Sequence, residues 1–275
     1  MNPYLTNKEL IRASQDYFQK RNVKNALNKR VALLNFSGSI VQGKEKEIIH
    51  DVDLFCFKKR GVRAGKFLTE TTKLIKKFNK FILKEYSVNV TAFPNFTLQA
   101  EAETFCKHLS EKINAGLNYN VWEDINGKMS KEEIKLYRKY PKIKGILPLH
   151  IISYASSTDF KNDSFAPEKF RISVLKKNSI LFGSAENINK MDEKNDKNKT
   201  YIDAVMRVER FNCINSNYPE IVQSQKIGLI IDYMNKHIFG KSSNFQDKKL
   251  SRQESEKLYY NFLTKLDNFY SKKLK

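Results

Sequence analysis

The chain has 275 residues, is 40% apolar, and carries 50 Lys and Arg against 30 Asp and Glu, a formal net charge of +20. That length builds one large domain or two modest ones, and the charge points to polyanionic partners, nucleic acid first, rather than cationic ones. No apolar run approaches a membrane span, and the mixed polar start lacks the apolar stretch of a secretory leader. Cys56, Cys106 and Cys213 are scattered, without a C-x-x-C pair, which argues against a disulfide framework or a zinc site. The expectation is a cytoplasmic protein that does not enter a membrane.

In chain order, Asn7 to Arg30 repeats apolar residues at helical spacing, with Thr6 placed to cap it. Val31 to Phe36 is a short apolar run closed by Ser37-Gly38-Ser39, read as a first strand and a tight turn. Ile40 to Ile49 is a loop or short helix. His50 to Lys58 is a second strand whose two faces both turn apolar after its first residues, which predicts a central strand. Ala64 to Glu85 is a long amphipathic helix with Phe67, Leu68, Leu74, Ile75, Phe78, Ile82 and Leu83 as its buried stripe. Tyr86 to Phe93 is a third strand closed by Pro94. Leu98 to Ala115 and Lys131 to Tyr140 read as helices, the second basic and tyrosine-bearing. Gly145 to Tyr154 is a fourth strand. A helix near Pro167 to Lys177 precedes the short run Ser179 to Gly183. Glu186 to Lys199 is so polar that it reads as a solvated linker. Helical periodicity resumes from Thr200 to Phe239, breaks over Gly240 to Asp247, and returns from Ser251 to Tyr270. Interleaved strands and helices argue for an α/β or α+β domain over 1–186, followed by a helical C-terminal domain over 187–275.

The chemistry concentrates in one stretch. Phe36-Ser37-Gly38-Ser39 is followed, after eleven residues, by Asp51-Val52-Asp53-Leu54-Phe55-Cys56-Phe57. Side chains alternate along a strand, so Asp51 and Asp53 share a face. Two carboxylates at the head of an otherwise apolar strand are costly unless a cation lies between them. Oxygen ligands of this kind suit Mg²⁺, which bridges protein carboxylates to substrate phosphates. Gly38 lets backbone approach a phosphate, and Ser39 offers a hydroxyl and an N–H to it. Against this, D-x-D alone often marks a strand start, and Gly-Ser alone is an ordinary turn.

Taken together, FSGS…HDVDLFCF resembles the nucleotidyltransferase superfamily, the polymerase-β-like fold. SILFG, Ser179 to Gly183, resembles a segment that follows the catalytic domain in many small members. The resemblance covers about residues 30 to 185 and rests on a core of some twenty residues. It implies a mixed sheet, Mg²⁺ or Mn²⁺ held by Asp51 and Asp53, and a nucleoside triphosphate seated by Gly38 and Ser39. The reaction it implies moves a nucleoside monophosphate to an acceptor hydroxyl and releases pyrophosphate. The family's third carboxylate, on a neighbouring strand, is missing. The candidate strands offer Asn89 and His150, while Glu85, Glu101 and Glu103 lie outside mid-strand positions. His150 is either a base or metal ligand or a satisfied half-buried histidine.

Other features are less specific. Lys58, Lys59, Arg60 and Arg63 form a cluster that fits either a polyanion or a solvated loop, and Lys131 to Lys144 mixes basic residues with tyrosines as single-strand binders do. The charge favours RNA, a tRNA end for example, as acceptor. A protein side chain or an aminoglycoside-like molecule is the enzymatic alternative, although a cationic acceptor suits this charge poorly. A catalytically inactive RNA- or nucleotide-binding module on the same fold is the other class.

Overall fold

The structure, a computed structural model, describes residues 5–42, 52–92, 146–162, 166–176, 178–192 and 220–273. The expected helices over 98–115 and 131–140, the first part of the one over 200–239, Asp51 and most of Ile40 to Ile49 lie outside these residues.

Helical periodicity at the start becomes two helices, α1 (Asn7–Phe18) and α2 (Arg21–Asn28). The Thr6 side chain accepts the Glu9 N–H while the Glu9 carboxylate accepts the Thr6 N–H, a reciprocal cap that starts α1 where the sequence places it. The expected single helix is broken at Gln19 and Lys20, where no Gly or Pro marks the stop. Gln19 turns its amide to Leu181 O at 3.3 Å. The break lets α1 and α2 both face the core through Leu10, Tyr17, Phe18, Val23 and Leu27.

The apolar runs become β1 (Val31–Ser37), β2 (Val52–Lys58), β3 (Asn89–Ala92), β4 (Ile146–Tyr154) and β5 (Ile180–Phe182). They form a mixed sheet in the order β3-β4-β2-β1-β5. Strand β2 runs antiparallel to β1 and parallel to β4, and β3 is parallel to β4. Strand β2 is therefore central, as its two apolar faces require. The SILFG run supplies β5, antiparallel to β1. Gly183 ends it at a positive φ of 82° against Ala32 O, a position a Cβ could not share.

Each face of the sheet has its own cover. The short α3 (Ser39–Gln42) follows β1, and α4 (Ala64–Tyr86) follows β2. Helices α1, α2 and α4 pack on the face formed by Leu34, Phe36, Leu54 and Cys56. Leu83, at the far end of the expected α4 stripe, is 47% exposed, and at that turn its neighbour Ile82 is the residue that faces the core. Helices α5 (Ser157–Lys161) and α6 (Ala166–Val174) cover the other face with the 3-10 helix Ala185–Lys190. There Phe55, Phe57, Tyr154, Phe160 and Phe170 form an aromatic cluster, Phe57 stacking on Tyr154 with centroids 5.4 Å apart.

Over residues 186–192, the described part of the polar stretch read as a linker, the chain is packed against the sheet. Met191 is 1% exposed in the aromatic cluster. Asp192 accepts from Lys58 Nζ at 2.6 Å and from Gly61 N at 3.2 Å, and its carbonyl accepts from Ser157 N. The basic cluster after β2 is thereby partly committed, since Lys58 is buried on Asp192 and Lys59 reaches Asn28 O at 3.0 Å.

Two further helices, α7 (Glu220–Phe239) and α8 (Arg252–Lys273), bracket the predicted polar break and join the same core as α4. Asp232 of α7 organises that break by accepting from Ser243 Oγ and from the N–H groups of Phe245 and Gln246. Asp267 of α8 accepts from Gly65 N at 3.1 Å, at the start of α4. Burial pushes the Asp267 carboxyl above its ordinary range, against the pull of the Gly65 N–H and the Arg63 charge. A raised native value means that the folded state holds this proton more tightly. Its contribution is present below the unfolded-state pKa and is lost as pH rises through the folded value. Asp267→Asn keeps an oxygen for Gly65 N, so it should raise the melting temperature near neutral pH by a few degrees. That gain should vanish in acid, which thermal melts across a pH series will show.

Candidate active site

The residues that bear chemistry gather where β1 ends. Register pairs Ser37 with Asp53 on the antiparallel neighbour. Gly38 follows at φ 70°, the left-handed turn that releases the chain from the sheet into α3. The turn brings the Gly38 backbone onto the Asp53 carboxylate. A methyl group on Gly38 would overlap Asp53 Oδ2 and stand 3.2 Å from its Cγ. Glycine is thus required twice, by its φ and by the closeness of an anionic side chain. Asp53 keeps partial solvent access, whereas its strand neighbours Leu54, Phe55, Cys56 and Phe57 are buried. A carboxylate at the lip of the sheet, with backbone directly beside it, can present oxygens to a cation without full desolvation.

The parallel neighbour contributes the next position. Strand β4 places His150 in register with Asp53 and Leu149 in register with Val52. Of the two strands considered for the missing third acid, β4 is the one beside β2, and β3 lies beyond it. The strand position adjoining Asp53 therefore holds His150, and Asn89 sits on the outer strand. Asp51 lies outside the described residues. Ser39 opens α3 directly after Gly38. Among the described residues no three His, Cys, Asp or Glu side chains converge as a complete metal-ligand set.

On the face of β2 that carries Asp53, α6 closes over the sheet and brings residues the motif does not include. Ser173 Oγ lies 3.4 Å from Ser37 Oγ, and both serines are buried. Ser179 Oγ donates to Ser173 O at 2.7 Å, and Phe36 N donates to Ser179 O at 2.8 Å, so β1, β5 and α6 are tied together just below the Gly38 turn. Asn35, also fully buried, donates to Phe36 O. This polar column of Asn35, Ser37 and Asp53 follows from strand alternation within VALLNFS and its antiparallel pairing. Its partner Ser173, 136 residues away in sequence, has no local signal.

The basic cluster after β2 stands at the other end of the strand. Lys58 is five residues from Asp53, roughly 16 Å along the strand axis, and its ammonium already faces Asp192. It does not serve a phosphate held at Asp53. No described helix is long and apolar enough to cross a membrane. Comparisons of the chain with protein-family models, with curated proteins and with solved structures found no match in any of the three.

Proposed function

We propose that this chain is a metal-dependent nucleotidyltransferase of the polymerase-β-like type, which moves a nucleoside monophosphate from a triphosphate to a hydroxyl of RNA. The observation that carries this reading is the Gly38 backbone lying against the Asp53 carboxylate at the end of an antiparallel strand pair. That arrangement sets a phosphate-accessible turn beside a metal-binding oxygen. Asp51 and Asp53 would hold Mg²⁺ or Mn²⁺, and Gly38 and Ser39 would seat the triphosphate. A divalent ion bound there supplies charge neutralisation of the triphosphate and Lewis acidity at the α-phosphate. The acceptor hydroxyl oxygen forms a bond to the α-phosphorus as the bond from that phosphorus to the α–β bridging oxygen breaks. Pyrophosphate leaves with the bond electrons, and the hydroxyl proton passes to a base. His150, in register with Asp53, is the residue assigned to that proton. The net charge of +20 supports a polyanionic acceptor.

The test is transfer of label from each α-³²P NTP to total RNA with Mg²⁺ or Mn²⁺. Transfer by the wild-type chain, lost by at least about 100-fold in Asp51→Asn and in Asp53→Asn, is the expected result. His150→Ala should lower the rate and flatten the pH profile on its acid side, where imidazole protonation would otherwise remove the base. Transfer to a protein or an aminoglycoside instead of RNA would move the acceptor class and leave the site intact.

The same register also favours a second reading. A histidine where the superfamily keeps an acid fits a fold retained for binding RNA or nucleotide without catalysis. RNA retention with no label transfer, unchanged by either aspartate substitution, would select it.

A further inference from the structure

The sheet face opposite Asp53 carries a feature that the transfer site does not use. Lys73, Lys77, Lys80 and Lys84 recur on α4 at intervals of four, three and four residues, one face of a helix, and all four are exposed. They run roughly 16 Å along its axis. Beside them, between α4 and the α1–α2 corner, is a groove of about 300 Å³ whose floor is Tyr17, Val23, Ala26 and Leu74 and whose rim is Lys20 and Lys77. Lys20 Nζ stands over the Phe81 ring at 4.6 Å and over the Tyr17 ring at 5.6 Å. Arg21 and Lys24 continue the charge along α2, both exposed. Acidic neighbours include Glu70 toward the start of α4, and Glu85, Asp16 and Glu9, whose charges act on the Tyr86 hydroxyl at its end. Glu256 of α8 pairs with Lys76, and Lys73 Nζ stands over the Tyr260 ring of α8 at 5.0 Å, so the cationic track runs from Lys77 to Lys84.

We infer that this lysine track and the aromatic-floored groove beside it bind single-stranded RNA, holding the backbone along α4 on the side of the sheet away from the proposed transfer site. Charge complementarity sets the class of partner. Three lysines in line, Lys77, Lys80 and Lys84, with Lys20, Arg21 and Lys24 alongside, neutralise successive phosphates and release counterions. The half-buried Phe81 ring beside Lys20 offers the sequence-tolerant contact that single strands use. A membrane surface is disfavoured by the same face. Interfacial helices bury large apolar side chains in lipid, and among the described residues only Leu83 and Leu175, on separate elements, are large, apolar and exposed. Lysine in place of arginine indicates backbone tracking rather than base reading. This inference shares with the proposed function only the identity of the polyanion, and it does not depend on metal or triphosphate.

The test is fluorescence anisotropy of the full chain with a labelled single-stranded oligouridylate across a salt series. Three proteins are compared: wild type, a track variant (Lys77→Glu, Lys80→Glu, Lys84→Glu), and a control (Lys236→Glu, Lys241→Glu, Lys249→Glu) that removes the same charge from α7 and the segment after it. The track variant should lose at least about tenfold in affinity and flatten the log–log salt slope by about 2, whereas the control should change less than about threefold. All six lysines are exposed, and matching melting curves verify folding. Asp53→Asn should bind as wild type does, which separates failure of this surface from failure of the transfer chemistry. Equal losses in track and control variants, an unchanged track variant, or no RNA binding at all would overturn the inference. Sedimentation with phosphatidylserine vesicles in place of RNA binding would overturn it in favour of a lipid surface.

Discussion

Gly38→Ala is expected to cut the proposed nucleotidyl transfer by roughly 100-fold or more, because a reacting group displaced by about 1 Å costs that much. Gly38 holds φ 70°, where a residue with a Cβ carries a penalty of about 1–2 kcal/mol. The new methyl would also overlap Asp53 Oδ2. The turn cannot move aside freely, since Phe36 and Ser37 below it are fully buried and bonded into β2, β5 and α6. The strain is therefore relieved by swinging the Asp53 carboxylate, since a side-chain torsion gives more readily than an anchored turn. The stability loss should stay near 1–3 kcal/mol, so the protein folds while its chemistry fails. Single-turnover transfer rates beside denaturant melts check this. A variant within threefold of the wild-type rate would show that the contact between glycine and aspartate does not position the site.

Asp192→Ala should be the most damaging single substitution for stability among those considered, costing about 3 kcal/mol. Lys58 is 2% exposed, and its ammonium rests 2.6 Å from Asp192 Oδ2. Removing one member of a buried pair costs about 3–5 kcal/mol, because the remaining charge is left without compensation. The Asp192 side chain is 32% exposed, so water reaches part of the pair and the low end of that range applies. Asp192 also accepts from Gly61 N, so the turn between β2 and α4 loosens too. Lys58→Met should cost much less, since it removes the charge itself and fills the space with an apolar side chain. Chemical denaturation of the two variants separates the explanations. If Lys58→Met is as damaging as Asp192→Ala, packing rather than an orphaned ammonium sets the cost.

Local pattern made much of this fold legible. The two apolar faces of LFCF identify β2 as central. The 3.6-residue stripe of α4 gives its extent to within a residue, whereas SILFG, read only as a short run resembling a family segment, proves to supply strand β5. Where the sequence misled, the cause is a distant partner. The segment after Glu186 is polar by composition, yet Met191 and Asp192 are claimed by an aromatic cluster and a lysine 134 residues earlier. The helix at the start divides at Gln19 for a contact with Leu181, 162 residues away. The site divides along the same line. Gly38, Ser39 and Asp53 are visible because one turn and one strand pair carry them. That His150 rather than Asn89 stands in register with Asp53 depends on the order of strands, which no stretch of the chain encodes by itself. Ser173 beneath the turn comes from another helix and is invisible to any local motif.

The measurement that bears most directly on the proposed chemistry is Mn²⁺ binding by the wild-type chain, followed by electron paramagnetic resonance with and without a non-hydrolysable NTP. Tight Mn²⁺ binding that strengthens with the nucleotide, and that is lost in both Asp51→Asn and Asp53→Asn, is the predicted result. Nucleotide-independent binding, or binding that survives both substitutions, would place the metal elsewhere and contradict a nucleotidyl-transfer site at the Gly38 turn.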